Sequence, residues 1–420
     1  MGETTTQGRR ITYLDGLRGL AALLVVFFHA GSAFIPAIVF GTDRGGIAHV
    51  FYATPILNLC MQGNFMVCVF YALSGFALAY ATLSRGGAAS AISGLVRRYP
   101  RLAIPTTCAT VIAFAMLKLK LFPVQRAAAL SHSTWLAGLW QFTPSLQGAV
   151  REGAIGVFGA HGSAYDAPLW TMHNELRGSL IVFAVLIFAP RRWLRMVAYV
   201  ALACLTYHSY LLGFVAGMAI CELTLGYAKK GQSLARKHLW WIAPVGLLGL
   251  VLGSYPTPSA TTPGYYDHLL PHIFGSGVFA QQIGTNVIGA ILVLIAVVAL
   301  APVQRVLATK PMEFLGRISF ALYLLHFLVM GSLGAETLVV LHGPLPYAVA
   351  AFLAFVVVVV VSMLAAWAFT LLIDEPATTQ MKRAYTSLAA RVVRVVPAAR
   401  PVLVPPRAPA PPPVPVESAP

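Results

Sequence analysis

The sequence predicts an all-α polytopic membrane bundle of about ten transmembrane helices with both termini cytoplasmic. Three observations carry that expectation. Hydrophobic residues fill 58% of the 420 positions and charged ones only 10%, where a soluble domain has about 25% charged residues. Apolar runs of about 20 residues, long enough to cross a bilayer as a helix, recur along nearly the whole chain. The Lys and Arg between those runs are crowded into alternate connections.

Taken in order, helices are expected at about 17–38, 55–83, 101–121, 174–190, 193–208, 210–227, 239–254, 286–303, 318–340 and 346–373, with ends set by where apolar residues give way to charges, Pro and Gly. Arg9 and Arg10 precede the first. Arg85, Arg97, Arg98 and Arg101 lie between the second and third, and Arg191, Arg192 and Arg195 between the fourth and fifth. Lys229, Lys230, Arg236 and Lys237 follow the sixth; Arg305, Lys310 and Arg317 follow the eighth; Lys382, Arg383 and Arg391 follow the tenth. A ten-span chain puts all of these on one side, and the positive-inside rule makes that side cytoplasmic. The opposite connections hold chiefly Arg44, Arg126 and Arg151, and 255–285 holds neither Lys nor Arg. The net charge of +16 is thereby accounted for by topology, and nucleic acid is not an expected partner.

The first apolar run is long enough to span and lacks a small-residue cleavage site after it, so it is expected to stay as a helix. Residues 1–10 form a cytoplasmic N-terminus, 11–383 the transmembrane domain, and 384–420 a proline-rich cytoplasmic tail expected to be extended and disordered. Cys60, Cys68, Cys108, Cys204 and Cys221 are scattered, without the spacing of a zinc site or a disulfide framework. No metal is expected.

Ionisable groups inside such spans are expensive and therefore informative. In LDGLRGLAALLVVFFHA, Arg18 and His29 are eleven positions apart, which is three helical turns plus roughly 20° and about 16 Å of rise. They share one face, Arg18 at the cytoplasmic interface and His29 deep toward the far side. Arg18 also reads as a snorkelling residue paired with Asp15. His29 needs a hydrogen-bond partner in its apolar surroundings. Arg98 and Arg101, in RRYPRLAIP, offer fork-shaped donors suited to phosphates or simply belong to the positive-inside cluster. Trp170 and Glu175, in LWTMHNELRGSL, stand at the far-side start of the fourth helix, where Glu175 also complements the helix dipole. Tyr323 and His326 share a face in SFALYLLHFLV. Ser74, in VFYALSGFALAY, reads as a site group or as small-residue packing.

The order and spacing of these segments resemble the acyltransferase 3 family of multi-pass membrane acyltransferases, over residues 11 to about 383, and the wording resembles fungal members. Arg18 and His29 match its Arg-x10-His opening, and Tyr71 replaces an aromatic in its Phe-Phe-x-x-Ser-Gly segment. Arg98 and Arg101 match its Arg-x-x-Arg pair, Trp170 and Glu175 its Trp-x4-Glu, and Tyr323 and His326 its Tyr-x-x-His. Asp374, Glu375 and Pro376 match its acidic-Pro ending. His173 and Asn174 depart from it. The resemblance implies transfer of an acyl group, commonly acetyl, from acyl-CoA as co-substrate to a hydroxyl of a glycan or of a small molecule such as a secondary metabolite. No permanently bound cofactor is implied. His29 would be the general base, with Glu175 orienting it or the acceptor. Arg18, Arg98 and Arg101 would hold the CoA phosphates, and Trp170, Ser74, Tyr323 and His326 would line the substrate site. The membrane would be an endomembrane or the plasma membrane. A transporter or a non-catalytic CoA-binding relative is the rival reading, although no inverted repeat is visible.

Overall fold

The computed structural model describes residues 11–42, 46–84, 87–159, 162–229, 239–257 and 278–395. Among them there is no strand. The ten expected segments each correspond to a helix: α1 Thr12–Phe34, α2 Gly63–Leu83, α3 Ala88–Lys118, α4 Thr171–Phe188, α5 Arg192–Thr206, α6 Leu211–Lys229, α7 Leu239–Gly253, α8 Val278–Ala299, α9 Lys310–Leu341 and α10 Tyr347–Ser387, which continues to Val395. Six of them, α1, α2, α3, α8, α9 and α10, are long and apolar enough to cross a membrane, and α6 and α7 contain shorter apolar helices. The basic residues Arg9, Arg10, Arg44, Arg85, Lys230, Arg236 and Lys237, most of the 255–285 connection and residues 396–420 of the tail lie outside the described residues.

Helix ends differ from expectation where local chemistry overrides apolar pattern. Residues 55–62 do not join α2: Ile56 takes a left-handed φ of 71°, and Asn58 donates to the carbonyls of Tyr52 and Ser254. α3 begins at Ala88 and runs through Pro100 as well as Pro105 instead of starting after Pro100. α10 carries on to Val395, into the segment expected to be extended, because the first proline after Pro376 is Pro397.

Close contacts reveal the direction of each helix. Gly19 of α1 lies against the backbone of Leu315 and Gly316 in α9, and Gly316 against the backbone of Asp15. Ten positions further along each helix, His29 and His326 meet side chain to side chain, so α1 and α9 run parallel. α2 and α6 are also parallel: Tyr210 donates to Asn64 near their starts, and Gly217 lies against the backbone of Ala72 and Phe76 further along both. α2 and α4 are parallel through Tyr71–Thr171 and Ser74–Glu175. In contrast, α3 and α4 pair Gly94 with Phe183 and Arg98 with Ser179, and α9 and α10 pair Gly334 with Val358 and Arg317 with Glu375. Both pairs are antiparallel. α5 with α6 and α7 with α8 behave likewise. Helices of like parity run together and those of unlike parity run opposed, as in a chain that weaves to and fro.

α4 is short. Its register on α3 sets Thr171 level with about Thr106, so residues 107–118 of α3 run on beyond it. There the helix Leu146–Ala154 takes over: Thr106 and Thr110 donate to the carbonyls of Gly153 and Ala149, each at 2.8 Å.

Because the α1–α9 seam depends on backbone approach, Gly19→Leu should cost about 1–3 kcal/mol or more through overpacking, read as a lowered thermal midpoint in detergent. Gly343→Ala, where an added Cβ meets nothing, should leave the midpoint unchanged.

Candidate active site

The α1–α9 seam brings two histidines into contact. His326 is completely buried. Its Nδ1 lies 3.0 Å from the Leu322 carbonyl and its Nε2 lies 2.9 Å from Nδ1 of His29. A carbonyl only accepts, so Nδ1 of His326 carries a proton and donates it. A second proton on Nε2 would bury a cation among apolar side chains at high cost. Nε2 is therefore the acceptor, Nδ1 of His29 is the donor, and the lone pair of His29 is left on Nε2. This is the tautomer a general base requires.

Aromatic rings enclose the pair. Trp135 stacks on His29 at 5.8 Å, Phe327 meets it edge-on at 5.4 Å, and Phe28 at 4.9 Å. Trp135 is held in place because Ser133 caps its short helix, Thr134–Ala137, and donates to the carbonyl of Ser32 at 2.7 Å. Trp140 packs on Phe327 and donates to the Tyr165 carbonyl at 2.9 Å. After Phe327, α9 makes a π-helical turn, Met330–Gly334, a distortion common at functional sites. It sets Gly331 directly against Trp140.

One turn before His326, Tyr323 is buried with its hydroxyl 2.8 Å from the Pro168 carbonyl and 2.9 Å from the Thr171 hydroxyl. Tyr71 donates to the Thr171 carbonyl at 3.1 Å. Further along the same line of buried polar groups, Ser74 donates to Glu175 at 2.7 Å, and Arg98 binds Glu175 through Nη2 and Ser179 through Nε at 2.7 Å. This is a largely buried ion pair, 12% and 13% exposed.

The position of Glu175 corrects the sequence reading. It was expected at the far-side start of the fourth helix, next to His29, yet it bonds Ser74 and Arg98. Gly63 lies against Phe28, and Tyr80 is near enough to Tyr13 to act on it electrostatically; this register sets Ser74 level with Arg18, eleven residues and about 16 Å from His29. The cause is the short α4, which starts within the depth of the bundle. The three arginines each have an acidic neighbour: Arg18 donates to Asp15 at 3.1 Å, Arg98 binds Glu175, and the exposed Arg101 acts electrostatically on Asp374. Trp170 is exposed and packs on Tyr210 at 5.6 Å, apart from the histidines. His173 accepts from Arg177 and donates to the Phe158 carbonyl at 2.8 Å, so the departure at this position ties α4 to the loop before it.

Trp135, Trp140, Thr171 and Ser179 were not singled out by sequence. The only hint was the weakly charged 122–168 connection, where the two tryptophans stand. Near the mouth of the α1–α9 seam, Thr12, Asp15, Lys310, Glu313, Phe314 and Arg317 line an open groove of about 270 Å³.

Breaking the buried ion pair from one side should be costly: Arg98→Leu or Glu175→Leu alone is expected to lose about 3–5 kcal/mol, and the double variant less than their sum. Thermal unfolding of the four proteins checks this.

The chain is 29% identical over 371 residues to O-acetyltransferase PaAT-1 of Phomopsis amygdali, an alignment covering 77% of this chain and 73% of that protein. It is 24% identical over 399 residues to Acyltransferase clz18 of Cochliobolus lunatus, covering 77% and 83%. It is also 24% identical over 452 residues to Acyltransferase R4 of a Phoma species, covering 89% and 95%. No solved structure matches. The family model described as an acyltransferase domain matches residues 11–371, and the chain therefore belongs to the acyltransferase 3 family, as a membrane protein with transferase chemistry.

Proposed function

We propose that this protein is a multi-pass O-acyltransferase that moves an acetyl group from acetyl-CoA to a hydroxyl of a glycan or small-molecule acceptor. The observation that carries the reading is the His326–His29 hydrogen bond, which leaves Nε2 of His29 bare inside an aromatic enclosure. The name of the Phomopsis relative, an O-acetyltransferase, supports acetyl and oxygen as donor group and acceptor atom.

In the proposed step, Nε2 of His29 takes the proton of the acceptor hydroxyl as its oxygen attacks the thioester carbonyl carbon. The C–O bond forms and the C–S bond breaks. The departing thiolate takes the proton back from His29, giving ester and free CoA. His326 holds the tautomer throughout. Arg18, Arg98 and Arg101 face the CoA phosphates from the cytoplasmic end, and the groove beside Phe314 is the entry for the nucleotide end. Ser74, Tyr71 and Tyr323 line the stretch of about 16 Å that the pantetheine arm follows toward His29. Glu175 acts by orienting Arg98, and Trp170 borders the path. Ten spans with cytoplasmic termini, in an endomembrane or the plasma membrane, suit this layout: the parity of helix directions supports them, and so does the one-sided placement of Lys and Arg. Membership of an acyltransferase family favours transfer over transport.

The test is release of free CoA from acetyl-CoA by purified protein in detergent. His29→Ala should lower the rate by about 10²–10⁴-fold in a protein that remains folded, with a modestly lowered thermal midpoint because the buried Nε2 of His326 loses its partner. Equal rates for wild type and His29→Ala would remove His29 as the base.

A further inference from the structure

Asp166 is fully buried, and neither of its carboxyl oxygens has a hydrogen-bond partner. A buried polar group left in this state is costly unless something else bonds it. Its location is well defined. On one side, the neighbouring Tyr165 carbonyl holds Trp140, which packs on Phe327 beside His29. On the other, the Pro168 carbonyl holds the Tyr323 hydroxyl, and Tyr323 lies 5.9 Å from His326 ring to ring. The Asp166 carboxyl itself is near enough to Tyr323 to act on it electrostatically.

The backbone around it is committed. The amide of Asp166 donates to Ser163, whose hydroxyl bonds Glu152; Tyr165 donates its amide to the same Glu152 at 2.9 Å. Glu152 is thus occupied in folding this loop onto the Leu146–Ala154 helix, whereas Asp166, fourteen positions on, is left for something else. Burial, with the Glu152 carboxylate nearby, holds the Asp166 carboxyl well above the usual carboxylate range. A protonated carboxyl presents one donor and one acceptor side by side, an edge suited to a hydroxyl or carbonyl oxygen.

We infer that Asp166 binds the acceptor, hydrogen-bonding a second oxygen function of the molecule whose hydroxyl His29 deprotonates. The acceptor class is then an apolar ring or chain bearing at least two oxygens, its body against Trp135, Trp140 and Phe327 and one oxygen on Asp166. This rests on His29 being the base of acyl transfer.

The experiment measures CoA release from acetyl-CoA above the rate in water alone, with cyclohexanol or the 1,2-, 1,3- and 1,4-cyclohexanediols as acceptor probes. In wild type, at least one diol should outperform cyclohexanol. Asp166→Leu should raise KM for that diol on the order of ten- to a hundredfold, from loss of one buried hydrogen bond, and leave KM for acetyl-CoA unchanged. Asp166→Asn, which keeps a donor–acceptor edge, should retain the preference. Neither variant should lower the thermal midpoint, because the carboxyl has no partner to lose; a lowered midpoint with donor and acceptor KM changed together would make Asp166 structural and overturn the proposal. Equal performance of all the alcohols in wild type, or a diol preference that survives Asp166→Leu, would also overturn it. These outcomes leave His29-dependent CoA release in water intact, whereas loss of that dependence would take down the acyl-transfer reading itself.

Discussion

The contact between Nε2 of His326 and Nδ1 of His29, 2.9 Å across the α1–α9 seam, is the constraint on which the rest of the site depends. It joins residues 297 positions apart in the chain. It exists because glycines at 19 and 316 let two helix backbones touch, in the way small residues let helices approach in membranes. The equal ten-residue advance along parallel helices then brings the imidazoles together. Each ring gives the other what an apolar interior withholds, and the Leu322 carbonyl at the far end selects which nitrogen stays bare.

A second polar layer lies one half-membrane away. Arg98, Glu175, Ser74 and Ser179 satisfy one another there, and such a network is stable only while complete. Between the layers, Tyr71, Thr171 and Tyr323 pass hydrogen bonds to backbone carbonyls of the segment that begins α4. The late start of α4 makes this possible: irregular backbone at that depth is tolerated where protein packs around it. The short helices of the 122–168 connection fill the space so created and deliver Trp135 and Trp140 to the histidines.

Much of this was legible in residue order. Alternating charge placement and ten apolar runs pointed to the helices, and the Arg18–His29 interval placed two ionisable groups on one face. Tyr323 and His326 were legible as a pair for the same reason. Glu175 was misplaced because a helix start was equated with a membrane surface. Asp166 and the two tryptophans were overlooked because they stand in a connection, where neither a 3.6-residue period nor a membrane cost marks them out.

What the sequence determined by itself are properties of short range: which stretches are apolar enough to be helices in lipid, which residues share a helical face, and which family pattern they compose. Partnership was decided by tertiary structure alone. That His29 meets His326 and not Glu175, that Arg98 spends its donors on Glu175, and that Asp166 is left with open hydrogen-bonding sites all follow from how helices remote in sequence settle their relative depths. Those depths come from glycine contacts and from the length of α4, and both act only once the helices are packed together.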